Sequence, residues 1–299
     1  MVHNRWIKII TWLGIMAVLT LIAMGLWAMI FHAGQSTQSL KWLQFLQTIG
    51  TFLLPPILCA WIWNANHKPF TWLKMDKGAD GRTFGLAILT MICAIPAINL
   101  LADINSRIIL PECMAGIEAR MRAMEESATL LTERFLQADN IGILLINIGL
   151  MAFLPALAEE LSFRGTLQQI LSRDEGCKIH LSLHLAIWLT AIVFSAIHLQ
   201  FYGFIPRMLM GAMFGYVFVW TGSLWVPIVM HFTNNSLAVI SYYIEHSIYG
   251  MQGSDKSYAD TIGAGTTWWL GLVSLIAVGL LLYLTSQGQQ GYDRRTHKE

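Results

Sequence analysis

The chain has 299 residues, 55% hydrophobic and only 12% charged, with a mean hydropathy of +0.54 and a formal net charge of +1. A soluble domain carries about twice that charged fraction, and a nucleic-acid binder displays a basic face. The composition excludes both classes and predicts an all-α, polytopic integral membrane bundle.

Runs of about 20 apolar residues mark the spans, and eight are expected. The first runs from Trp6 to Phe31 behind Arg5 and Lys8. It is too long for the apolar core of a signal peptide, about 7–15 residues, and reads as a retained helix. The second runs from Trp42 to Trp63, with a kink expected at Pro55-Pro56. A polar connection with Lys68, Lys74, Lys77 and Arg82 leads to the third, from Phe84 to about Leu101. Pro111 to Asn140 is rich in charge, yet Met121, Met124, Ala128, Leu131 and Phe135 recur at helical spacing. An amphipathic surface helix is predicted there.

The fourth span begins at Ile141, bends or restarts at Pro155 and reaches Leu171. Leu181–Leu199, Phe204–Trp220, Leu224–Ile244 and Trp268–Leu284 follow, then a polar tail with Arg294, Arg295 and Lys298. No internal repeat is visible. Cys59, Cys93, Cys113 and Cys177 show no CxxC spacing and no disulfide framework. Threading with the amino terminus inside puts twelve of the nineteen Lys and Arg on the cytoplasmic side, Arg173 and Lys178 among them. Both termini are then cytoplasmic, residues 111–140 are outside, and the expected location is the plasma (inner) membrane. Three regions are expected: 1–139 with the first helices and the surface segment, a core at 140–245, and 246–299 with the last span and tail.

Within the core, Glu159-Glu160-Leu161-Ser162-Phe163-Arg164 closes a nearly uncharged run. A charge at the bilayer centre costs at least about 2.5–3.5 kcal/mol, so such groups have partners or a function. Glu160 and Arg164 stand at i and i+4, the spacing of a carboxylate–guanidinium pair, which reads first as structural. Glu159 points about 100° away and has no mate on its own helix. Two more spans place polar groups in apolar surroundings, with Phe194 and His198 on one face and His231 and Asn235 on another. A carboxylate and an imidazole can share the deprotonation of water, while a second imidazole and an amide can donate to an oxyanion. Taken singly, each also reads as helix-bridging hydrogen bonding.

In this order the three motifs resemble EExxxR, FxxxH and HxxxN of the CPBP family of intramembrane endopeptidases, which includes the type II CAAX prenyl proteases. The flanks Phe163-Arg164-Gly165 and Gly222-Ser223-Leu224-Trp225-Val226-Pro227 match as well. The resemblance covers about residues 140–245. It implies that Glu159 and His198 activate water, that His231 and Asn235 hold the oxyanion, and that Glu160, Arg164 and Phe194 support them. The implied substrate is a peptide or membrane protein within the bilayer, with no nucleic acid and no cofactor. Two alternatives remain open: zinc held by Glu159, His198 and His231, which chemically suit it, and a non-catalytic immunity or binding protein. A transporter with inverted repeats ranks last.

The threading leaves a geometric question. Antiparallel fourth and fifth spans put Glu159 and His198 near opposite faces, about 30 Å apart, whereas shared chemistry needs a few ångströms. A break at Pro155 that leaves Glu159 in mid-membrane, or a fifth helix ending short before Phe201-Tyr202-Gly203, closes that gap, and a part of each is expected.

Overall fold

The computed structural model describes residues 4–32, 34–64, 68–172, 181–250 and 261–296. Arg173, Cys177, Lys178 and Lys298 lie outside the described residues. Among those described there is no strand, as expected of an all-α chain. The long helices are α1 (Arg5–Phe31), α2 (Thr37–Trp63), α3 (Gly81–Ser106), α4 (Ala115–Leu136) and α5 (Ile141–Ser172). They are followed by α6 (Leu183–Ala196), α7 (Phe204–Thr221), α8 (Trp225–Tyr243) and α9 (Trp268–Thr296).

Six segments among the described residues are long and apolar enough to cross a membrane: α1, α2, α3, α5, α7 and Gly265–Gln287. The chain is thus a multi-pass membrane protein, but the expected eight spans are not reached by this measure. α6 has only 14 residues, about 21 Å at 1.5 Å per residue, well short of a bilayer core. α8 is long enough, but the run His231-Phe232-Thr233-Asn234-Asn235-Ser236 makes it less apolar. The flanking cations Arg5 and Lys8 are buried rather than solvated, with Lys8 Nζ 5.8 Å from the Trp63 ring centroid.

Both proline sites expected to disturb a span do so in one way. Wider π turns occupy Thr48–Leu53 before Leu54-Pro55-Pro56, and Ile148–Phe153 before Leu154-Pro155. Proline lacks an N–H and its ring clashes with the carbonyl four residues back, and the wider turn relieves both. The surface helix α4 also forms, although only Phe135 of its expected apolar positions is buried; Met124 and Leu131 remain exposed.

α3 and α9 show how closely the bundle packs. Beside Pro96, Ser274 Oγ donates to the Cys93 carbonyl and accepts the Ala97 N–H at 3.1 Å, so a hydroxyl from α9 enters the α3 ladder. A Cβ at Gly271 would lie 2.6 Å from Leu100 Cβ and 3.0 Å from the Pro96 carbonyl, which is why only glycine fits there. Gly271→Val is expected to cost about 1–3 kcal/mol by overpacking. Gly279→Val, which meets nothing within 4 Å, is the control; equal melting temperatures for the two variants in one detergent would contradict this packing.

α3 is the one long apolar helix between Lys74 and the surface helix. Cysteines introduced at Lys74 and Glu125 are therefore expected to label from opposite sides of the membrane, and labelling from one side contradicts the threading.

Candidate active site

The site is built on a buried charge pair. Glu160 and Arg164 are both fully buried, and Arg164 Nη1 donates to Glu160 Oε1 at 2.7 Å. Arg164 lies in a third π turn, Phe163–Gln168, and its Nη2 donates to the Gly211 carbonyl of α7 at 2.8 Å. Its guanidinium lies 4.6 Å from the Phe194 ring centroid and 5.3 Å from that of Phe214, so aromatic faces replace water around the cation. A Cβ at position 211 would press on Phe194 and Ala191 at 3.2–3.3 Å, and glycine there lets α6 and α7 meet.

Glu160 has a second partner that helical spacing alone does not reveal. His231 Nδ1 lies 2.9 Å from Glu160 Oε1, and its ring stacks on Phe214 with centroids 5.5 Å apart. A carboxylate paired with arginine only accepts, so His231 Nδ1 carries hydrogen and donates. Its Nε2 then turns to Glu159, whose Oε2 is 4.0 Å away. In the neutral ring Nε2 accepts a proton; in the protonated ring it donates one. Glu159 is less deeply buried than Glu160, with 15% of its side chain exposed. The expected division of the two glutamates, one paired and one free on its own helix, is present, with His231 facing both.

His198 arrives by the short-helix route. α6 ends at Ala196, and the loop after it turns through Leu199 at φ 54°. His198 Nδ1 donates to the Phe194 carbonyl at 2.8 Å. This fixes the tautomer and leaves Nε2 as the acceptor in a neutral ring. The Phe194 ring lies edge-on between His198 (5.3 Å) and His231 (5.9 Å) and also meets Phe163 (5.2 Å). Phe194 is therefore the spacer joining α5, α6 and α8. His198 also lines a cavity of about 380 Å³ beneath Ala123, Met124 and Ser127 of α4. Asn235 is half-buried one turn beyond His231, and its Oδ1 accepts from Asn234 Nδ2 at 3.2 Å. The Asn235 NH₂ keeps its donors. Among the described residues, no hydrogen bond or ion pair joins Asn235, Glu159 and His198 to one another. Among the described residues, no three His, Cys, Asp or Glu side chains are grouped so as to hold one metal ion.

Two neighbours lie outside the motifs. Arg207 of α7 donates from Nη2 to Gln200 Oε1 at 2.7 Å, while its Nη1 is buried without an acceptor among the described residues. Its charge acts on both Glu159 and His198. As the lone charge in the apolar run 204–220, it carried a sequence signal of the same kind as Glu159. Tyr202 ties the His198 loop to the surface helix: its N–H donates to Glu125 Oε2 at 3.2 Å, and Arg122 lies 4.5 Å over its ring. Glu118, beside Arg122, accepts the Leu110 N–H and the Arg122 guanidinium, in that order of effect, and these hold its carboxyl below the usual range.

Comparison with known proteins agrees with the motifs. Residues 141–237 match the family model described as type II CAAX prenyl endopeptidase Rce1-like. A relative in Bacillus subtilis (strain 168), the uncharacterized protein YpbD, is 28% identical over 100 residues, which cover 32% of this chain and 46% of that protein. The chain thus spans about half the length of this curated relative. No solved structure matches. The matched stretch, residues 141–237, contains all three motifs and is similar to the Rce1-like type II CAAX prenyl endopeptidases.

Proposed function

We propose that this chain is a glutamate-dependent intramembrane endopeptidase of the plasma (inner) membrane, hydrolysing a peptide bond in a membrane-associated protein or peptide. The observation that supports it best is Glu159, a partly exposed carboxylate 4.0 Å from His231 Nε2, above a fully buried Glu160–Arg164 pair that orients that imidazole. Glu159, helped by His198 Nε2, takes a proton from water as the oxygen attacks the scissile carbonyl carbon. The Asn235 NH₂ and the protonated His231 Nε2–H donate to the resulting oxyanion. Collapse of the tetrahedral intermediate breaks the C–N bond, and the proton held by Glu159 passes to the leaving amine. No covalent intermediate is needed.

This route uses no metal. Its oxyanion donors are the His231 imidazole, held through Nδ1 by Glu160, and the Asn235 amide, which donates to an oxyanion better than it binds zinc. Cleavage of a membrane-reconstituted peptide is expected to continue in strong chelator. Loss of activity restored stoichiometrically by Zn²⁺ would replace this mechanism with a metallopeptidase one.

A further inference from the structure

Away from the catalytic residues, the start of α2, the end of α4 and the first turns of α5 enclose a cavity of about 710 Å³, within the about 300–1,000 Å³ of sites that hold small ligands. Its chemistry is divided. Trp42, Phe45 and Ile146 form an apolar wall, and Trp42 and Ile146 are themselves 45% and 57% exposed. Lys41 and Arg134 line the same space as cations. Among the described residues both are held only by neutral acceptors. Lys41 Nζ donates to Asn147 Oδ1 at 2.7 Å, and Arg134 Nη2 donates to the Gln35 carbonyl (3.1 Å) and Thr37 Oγ1 (3.3 Å). The Asn147 amide is turned for this task, because its NH₂ is spent on the Leu136 and Gln137 carbonyls. Asp139 also lines the cavity, yet no ion pair among the described residues joins it to either cation.

Lysine has three donors and arginine five, so both cations keep hydrogens to spend. Lys41 stands near the start of the α2 span and Arg134 in the last turn of the surface helix α4, just ahead of the α5 span, where headgroup and hydrocarbon meet. A soluble anion would leave the apolar wall unused, and an uncharged lipid would leave the cations unused. We propose that this cavity binds one anionic phospholipid, its phosphate on Lys41 and Arg134 and an acyl chain along Trp42, Phe45 and Ile146. The lipid would clamp α2 to the α4–α5 junction through contacts separate from the catalytic groups.

Native mass spectrometry of the full chain, released from detergent with equal phosphatidylglycerol and phosphatidylcholine, tests this without reference to peptidase activity. One phosphatidylglycerol is expected to be retained in preference to phosphatidylcholine. Lys41→Met and Arg134→Gln should each weaken that retention about fivefold, the usual worth of one cation near an anionic headgroup. Arg122→Gln, which removes a cation outside the cavity, should leave it unchanged. Ile146→Trp keeps both cations, fills the exposed wall without touching the core, and should also lower retention. Equal retention of the two lipids, a Lys41→Met/Arg134→Gln variant that binds like the parent, or full retention by Ile146→Trp would each overturn the proposal. Displacement of the lipid by glycerol phosphate at equal concentration would also overturn it, by showing that the headgroup alone is the ligand.

Discussion

Glu160→Gln and Arg164→Met are each expected to destabilise the protein by about 3–5 kcal/mol, because each strands a charge in a place that excludes water. The side chains of both residues are fully buried. Glu160 Oε1 serves Arg164 and His231 together, while Glu160 Oε2 and Arg164 Nε have no partner among the described residues. Removing either partner therefore leaves the other's charge buried without its counter-ion. Combining the two substitutions removes both charges and should cost less than the sum of the singles. Thermal unfolding in one detergent, with the four proteins compared as a cycle, reads this directly. Additive losses would mean that the pair does not act as a unit.

The second large effect is on chemistry. Glu159→Gln keeps the shape of the side chain and removes its ability to take a proton, so turnover should fall about 10²–10⁴-fold with folding intact. Glu159 is partly exposed and, among the described residues, has no partner closer than the 4.0 Å to His231 Nε2, so its loss breaks no close ion pair. His198→Ala should resemble it, and the double variant should cost little more than either single, since groups acting on one water are not additive. Full activity in Glu159→Gln beside a folded but inactive Glu160→Gln would show that the wrong carboxylate carries the role. The comparison needs matched amounts of folded protein, because Glu160→Gln lowers yield first.

The membrane class and most helices were legible because long apolar runs and prolines act locally. A 20-residue run must be helical in lipid, and the prolines at 55 and 155 each follow a π turn, whereas Pro96 stays within regular α3. The Glu160–Arg164 pair was legible for the same reason, being an i,i+4 relation within one helix. Relations between helices were not. Nothing in the spacing of α5 and α8 says that His231 Nδ1 meets Glu160 rather than Glu159, or that Phe194 stands between two histidines. Of the eight expected spans, six meet the length and hydropathy of a crossing among the described residues; polarity and function compete in the other two. α6 stops at Ala196, leaving His198 in the loop that follows, beside Phe194. Arg207 belongs to no motif, although an isolated arginine in an apolar span is the kind of signal that marks Glu159.

The central claim is that the chain hydrolyses peptide bonds through Glu159. The most direct measurement reconstitutes the parent protein and Glu159→Gln in liposomes with a peptide library carrying membrane-anchored members, and reads products by mass spectrometry in H₂¹⁸O. The account predicts cleaved products from the parent, each new carboxylate carrying ¹⁸O from water, and almost none from Glu159→Gln. No cleavage by the parent across the library, or equal cleavage by both proteins, would contradict it.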